Sequence, residues 1–176
     1  MGLPAQPSIH ASAVLAGPRA LLLRGPTGSG KSRLVLAVIE AASAGLIPFA
    51  RLVADDRACL QAVNGRLLVR PVETLCGLIE VRGLGIRRLP FEPVAMVGMV
   101  VDLGAADAER LPPWRPAIIA GVAVPRLAVA PGVDPMPYVL ATFTTTGAER
   151  VPSPSVQADI RRAVAAPEVN LWLSNP

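Results

Sequence analysis

The chain is poor in lysine, histidine and aromatic side chains. Of its 17 lysine and arginine residues only Lys31 is lysine, His10 is the only histidine, and aromatics make up 3% of the 176 residues. So few aromatics require an aliphatic core of Val, Leu, Ile and Ala. They also remove the stacking surfaces that single-stranded nucleic acid needs. The net charge is +4, but the arginines are scattered and form no basic cluster interleaved with aromatics, so no nucleic-acid partner is expected. An acidic or phosphorylated partner suits this charge. The two cysteines, Cys59 and Cys76, have neither metal-ligand spacing nor a C-x-x-C pattern and read as ordinary reduced core thiols. No charged leader precedes an apolar stretch, and no apolar run approaches a membrane span. The expectation is a cytoplasmic protein without a signal peptide or a membrane partner.

What is present argues for a packed domain. A 52% share of hydrophobic residues excludes disorder. The length predicts one domain over residues 1–176. The 19 prolines and 15 glycines stay below the low-complexity range and indicate rigid loops around short strands.

The single lysine stands inside Gly25-Pro26-Thr27-Gly28-Ser29-Gly30-Lys31-Ser32, which fits the phosphate-binding pattern G-x-x-x-x-G-K-[ST] at every fixed position. An arginine-biased chain that keeps one lysine here needs a compact ammonium rather than a planar guanidinium. Ala20 to Leu23 is a short apolar strand and Leu34 to Ala44 a helix, so the motif has its strand–turn–helix context. Glycines let consecutive N–H groups turn inward around phosphate oxygens, and the helix N-terminus adds partial positive charge. Lys31 would reach the terminal phosphates of a bound nucleotide, and the Ser32 hydroxyl would ligate Mg²⁺.

Around this unit the pattern predicts a strand-rich α/β domain. Residues 1–8 read as a loose leader. His10 to Leu15 and Ala20 to Arg24 read as strands, joined by a turn at Gly17-Pro18. The loop helix ends near Gly45, before Pro48. Arg51 to Ala54 is the next strand, and Asn64-Gly65 marks a hairpin between Cys59–Val63 and Leu67–Arg70. Leu78 to Val81 is a strand leading into Arg82-Gly83-Leu84-Gly85-Ile86, whose glycines indicate a tight bend or a close backbone approach. Met96 to Leu103 reads as a buried central strand. A short helix or turn is expected at 105–111, one or two strands within 118–129, a strand at 138–144 and a terminal helix at 156–165.

Asp55-Asp56 closes the strand after the loop helix. In a βαβ unit that carboxyl end lies beside the phosphate loop, where an acid can hold Mg²⁺ or its waters. Two adjacent acids also allow one to sit near the metal and the other to take a proton from an attacking hydroxyl. His10, on the strand before the loop strand, could come near this pair and relay a proton close to neutral pH. Glu80 by itself is only a strand-end carboxylate.

Taken in order, Ile9-His10-Ala11-Ser12, Gly25 to Ser32, Arg51-Leu52-Val53-Ala54-Asp55-Asp56, Glu80 to Ile86 and Glu109-Arg110-Leu111 resemble the catalytic domain of bacterial HPr kinase/phosphorylase. The likeness is greater to the short form that lacks a separate N-terminal domain. The combination of V-A-D-D with E-[IV]-R-G-L-G-I is the specific part. The resemblance implies a phosphate-loop core of mixed strands similar to phosphoenolpyruvate carboxykinase, and assembly as a homo-oligomer, a hexamer. It implies ATP and Mg²⁺ as cofactors and a serine of an HPr-like phosphocarrier protein as acceptor. It assigns His10, Lys31 and Arg110 to catalysis, Ser32 and Glu80 to Mg²⁺, and the base to the Asp55-Asp56 pair, with Asp56 favoured.

There are departures from the family pattern. The position after Ser32, usually acidic, is Arg33, which would reverse a charge beside the metal. The family's later P-V-R-P-G-R-N loop, tied to phosphorolysis, corresponds to residues 129–134 here and lacks both arginines. Arg126 lies near enough in sequence to compensate. A stretch near 45–49 lengthens the link from the loop helix to Asp55. Two rival functions therefore stay open: a small-molecule phosphotransferase and a non-catalytic nucleotide-binding regulator.

Overall fold

The computed structural model describes residues 8–145. Residues 1–7 of the leader expected at 1–8, and the expected helix at 156–165, lie outside them, while Ser8 already belongs to a strand. Among the described residues twelve strands and two α-helices are formed, with a single 3-10 turn at Glu73–Leu75. In chain order they are β1 Ser8–His10, β2 Ser12–Ala16, β3 Arg19–Arg24, α1 Lys31–Ser43, β4 Ala50–Ala54, β5 Arg57–Val63 and β6 Arg66–Pro71. There follow β7 Leu78–Val81, β8 Gly85–Arg88, β9 Ala95–Leu103, β10 Ala117–Ile119, β11 Val122–Val124, β12 Arg126–Val129 and α2 Met136–Thr144.

The main sheet runs β1-β5-β6-β9-β3-β2-β4. β9, the continuous apolar run, is its spine. It lies parallel to β3, its first residues pair with β6, and its last four pair parallel with β12. The loop strand β3 and β4 both pair antiparallel with β2, so the βαβ unit has β2 threaded between its two parallel strands.

Residues 8–16 and 50–59 run antiparallel along one another, with β2 against β4 and β1 against β5. The register shifts by a bulge at Val53, between Ala13 and Val14, and the ladder breaks at Ala11-Ser12 and Asp55-Asp56. At that break the sheet bends back on itself, and the curl brings backbones close together. Its inner face is therefore built largely from small residues, among them Ala11, Ala13, Ala20, Ala54 and Ala58, with Leu22, Val53 and Val100. The outer face holds the helices. Leu34, Val35, Val38 and Ala41, spaced as one helical face, seat α1 on Leu21, Leu23 and Val101.

Local signals hold at most turns. Asn64 and Gly65 both have positive φ, as a two-residue hairpin turn requires. The helix α1 ends where Gly45 turns left-handed and Leu46 N–H closes on Ala41 O at 2.9 Å. Gly83 and Gly85 make the tight bend between β7 and β8 rather than a close approach, since a Cβ on either would meet open space. Residues 105–111 carry turns, and 117–129 hold three strands instead of the one or two expected within 118–129.

The expected strand at 138–144 is α2. β-Prone Tyr, Val, Phe and Thr suggest a strand, but Met136, Val139, Leu140 and Phe143 recur at helical spacing and pack on the α1 side of the sheet. Pro137 sits in the first helical turn, where a missing N–H costs nothing. Among the described residues no helix is long and apolar enough to cross a membrane.

Candidate functional site

The phosphate loop joins β3 to α1. Gly25, Gly28 and Gly30 have φ of 150°, 81° and 94°, conformations that L side chains rarely adopt. A Cβ on Gly25 would also meet Leu103 O and Ser29 Oγ at 2.7 Å. Ser29 Oγ is itself buried without a hydrogen-bond partner, an orphaned donor inside the loop. Lys31 is only 6% exposed, and its Nζ donates to Gly25 O at 3.0 Å and Pro26 O at 3.1 Å. Burial pushes this ammonium below the usual lysine range, against the pull of Asp55 and Asp56. Left-handed glycines, an unpartnered hydroxyl and a cation held on loop carbonyls together fit a polyphosphate.

Asp55 is the hub on one side of this loop. It is 3% exposed and accepts four hydrogen bonds. Ser12 Oγ donates to Oδ1 at 2.6 Å, Ser32 Oγ to Oδ1 and Oδ2 at 2.9 and 3.0 Å, and the Glu80 N–H to Oδ2 at 3.1 Å. The hub draws β2, β4, β7 and the N-terminus of α1 onto one residue.

Asp56 differs from its neighbour in every respect. Its side chain is 66% exposed, and its backbone has φ 63°. The Arg57 N–H closes a three-residue turn on Asp55 O at 2.7 Å. A non-glycine residue held left-handed stores strain of the sort found at functional sites. His10 Nε2 lies 3.4 Å from Asp56 Oδ1. The expected proximity of His10 is therefore present, but by another route. β1 pairs with β5, setting His10 opposite Arg57, and does not pair with the loop strand.

Glu80 joins this group through its backbone, with its side chain exposed. Among the described residues no three His, Cys, Asp or Glu side chains cluster as a self-sufficient metal site. A Mg²⁺ carried on nucleotide phosphates needs only one or two carboxylates, the rest of its shell being phosphate and water. Ser32, Asp55 and Glu80 are oxygen donors of that hard kind. Arg110 is exposed on the turns after β9 and makes no hydrogen bond or ion pair among the described residues.

Three features escaped the sequence reading. Ser12, two residues beyond His10, is a fully buried ligand of Asp55. Arg82 reaches over the loop, its Nη2 lying 3.7 Å from where a Cβ on Gly28 would stand; the glycines beside it carried that motif's reading. Arg33 does not stand beside Ser32's partners. It lines a cavity of about 670 Å³ on the other side of the loop, walled by Thr27, Ala37, Val133, Asp134 and Met136.

Arg126 is not free to compensate for the missing loop arginines. Its Nε donates to Asp102, and Nη1 and Nη2 donate to Asp107 at 2.7 and 2.9 Å. Asp102 also accepts from Arg24 Nε and Nη2, both at 2.7 Å. Burial works against the Asp102 charge, but the two guanidinium groups outweigh it and hold the carboxyl below the usual range. Asp102 thus ties the end of the loop strand to β12.

The fold has a solved counterpart. The Hpr(Ser) kinase/phosphatase from Coxiella burnetii superposes with a TM-score of 0.64 at 24% identity, over 79% of this chain and 94% of that one. The chain is also 36% identical over 66 residues to the HPr kinase/phosphorylase of Clostridium beijerinckii and 36% over 70 residues to that of Clostridium tetani. The chain shares the fold of that kinase/phosphatase and is similar to the HPr kinase/phosphorylases over the matched segment. These matches cover 38% and 40% of it, and it spans about a fifth of the length of either relative, 20% and 21%. No protein-family model matches it. The phosphate-loop, mixed-sheet core expected from the HPr kinase/phosphorylase resemblance is the core observed.

Proposed function

We propose that this chain is a protein-serine kinase that transfers the γ-phosphoryl group of ATP to a serine of an HPr-like phosphocarrier of a bacterial phosphotransferase system. The observation that carries the proposal is the division between adjacent carboxylates. Asp55 is buried and saturated by donors, whereas Asp56 is exposed, strained and beside His10. In this reading residues 25–32 cradle the β- and γ-phosphates, and Lys31 swings from its carbonyl partners onto them. Ser32, oriented by Asp55, and Glu80 hold Mg²⁺, which when bound neutralises charge on the phosphates. Asp56 accepts the proton of the incoming serine hydroxyl as its oxygen bonds to the γ-phosphorus and the bond from that phosphorus to the bridging oxygen breaks, releasing ADP, and His10 stands ready to share the proton. Arg110 joins the catalytic set only if the bound carrier draws its loop inward. The proposal extends to one domain over residues 1–176 acting in the cytoplasm as a hexamer.

The test is incubation of the purified chain with γ-labelled ATP, Mg²⁺ and an HPr protein, followed by mapping of the label. Phosphoserine on the carrier supports the kinase. Label on a metabolite instead, or nucleotide binding with no transfer, would move the function to one of its rivals.

A further inference from the structure

We propose that Arg33 is a specificity-determining residue that grips the nucleotide beyond its terminal phosphates and makes the site prefer a nucleoside polyphosphate to bare pyrophosphate. The inference rests on reading residues 25–32 as a polyphosphate site. Successive residues on a helix lie about 100° apart. Ser32 uses that rotation to meet Asp55, and Arg33 to face the opposite cavity. Two sides of the loop thus have different chemistry. Asp55, Asp56, His10 and Glu80 stand on the acceptor side, and none of them lines the cavity. Arg33 is exposed and makes no hydrogen bond or ion pair among the described residues, so its five donors are uncommitted.

The rest of the cavity fits a nucleoside. Leu34, Ala37, Val133 and Met136 supply apolar wall, and about 670 Å³ is room for a base and a ribose. Asp134 also lines the cavity. Its Oδ1 accepts from the Met136 N–H at 3.1 Å, leaving the other oxygen for donors such as ribose hydroxyls. A cation from the loop helix and a carboxylate from the 130–136 segment, lining one cavity, match a molecule that carries both phosphate and hydroxyl groups. Pyrophosphate would fill the loop and extend no atom past it, so it would gain nothing from Arg33.

The experiment is equilibrium calorimetry of ADP and of pyrophosphate with the full chain, with and without Mg²⁺, at about 0.1 M salt so that long-range attraction is screened. Arg33→Ala is an exposed helix substitution that leaves the core intact. It should weaken ADP roughly tenfold, the loss of one charge-assisted contact, and leave pyrophosphate within about twofold. Arg33→Lys should recover part of the ADP affinity, because it keeps the charge but not the fork. Equal losses for both ligands would reduce Arg33 to a source of general positive potential and overturn the proposal, as would an unchanged ADP affinity. Wild-type protein that binds neither ligand would remove the phosphate-site reading itself.

Discussion

The Ser32 hydroxyl donates to both carboxylate oxygens of Asp55, at 2.9 and 3.0 Å. The first turn of the loop helix is thereby locked to the end of β4, with Ser12 and the Glu80 N–H completing the shell. Asp56, one residue on, takes no part. The adjacent carboxylates should therefore fail in different ways.

Asp55→Asn places an NH₂ group among three donors. One buried donor loses its acceptor, at about 1–3 kcal/mol. Thermal and urea unfolding should register that loss, and Mg²⁺-dependent nucleotide affinity should fall with it. Asp56→Asn should leave stability and nucleotide binding near wild type and abolish transfer to serine, since the amide cannot take the proton. Selective loss of transfer in Asp55→Asn would reverse the two roles.

Asp56→Gly separates strain from chemistry. Glycine adopts φ near 63° without a Cβ penalty. The variant should be about 1 kcal/mol more stable in urea and inactive in transfer. No gain in stability would mean that the left-handed turn is unstrained.

Lys31→Ala should abolish phosphoryl transfer and lower ADP affinity while the fold survives, because Lys31 is held by two loop carbonyls rather than by the core. No other lysine exists to substitute. Activity near wild type, with an unchanged circular dichroism spectrum, would make the loop a structural turn.

Forward transfer should exceed phosphorolysis by a wide margin. An attacking inorganic phosphate needs a bidentate cation to hold it in line. Val133 and Asp134 line the cavity where the family's later loop carries arginines, and Arg126 is bound to Asp102 and Asp107. The check is pyrophosphate release from serine-phosphorylated carrier with Mg²⁺ and phosphate. A rate comparable to the forward reaction defeats the argument.

Asp102 sets an acid limit on stability. Its carboxyl lies below the ordinary value of 3.8, so its contribution is present above that pH and is lost as the pH falls through the depressed folded value. Asp102→Asn should lower Tm at neutral pH, and the gap to wild type should begin to narrow only below about pH 4. A gap independent of pH would assign the loss to packing.

Much of the fold was legible in the sequence because its signals are local. G-x-x-x-x-G-K-S dictates left-handed glycines before a helix, Asn64-Gly65 dictates a hairpin, and the apolar run at 96–103 has to be buried. Asp55 and Asp56 were recognisable as a pair because they end the strand that follows the loop helix. Their separate characters were not. Which carboxylate is buried depends on Ser12 and residue 80 arriving from strands 43 and 25 residues away. Likewise His10 meets Asp56 through β1 and β5, and Arg33 turns from the metal side to the cavity by one step of helical rotation. The sequence alone determined the phosphate loop, the strand-rich core and the order of the site's parts, since hydrophobic period and backbone chemistry act over a few residues. Only the tertiary structure decided which acid is sealed and which is free, because burial and hydrogen-bond partners are set where the sheet curls back on itself.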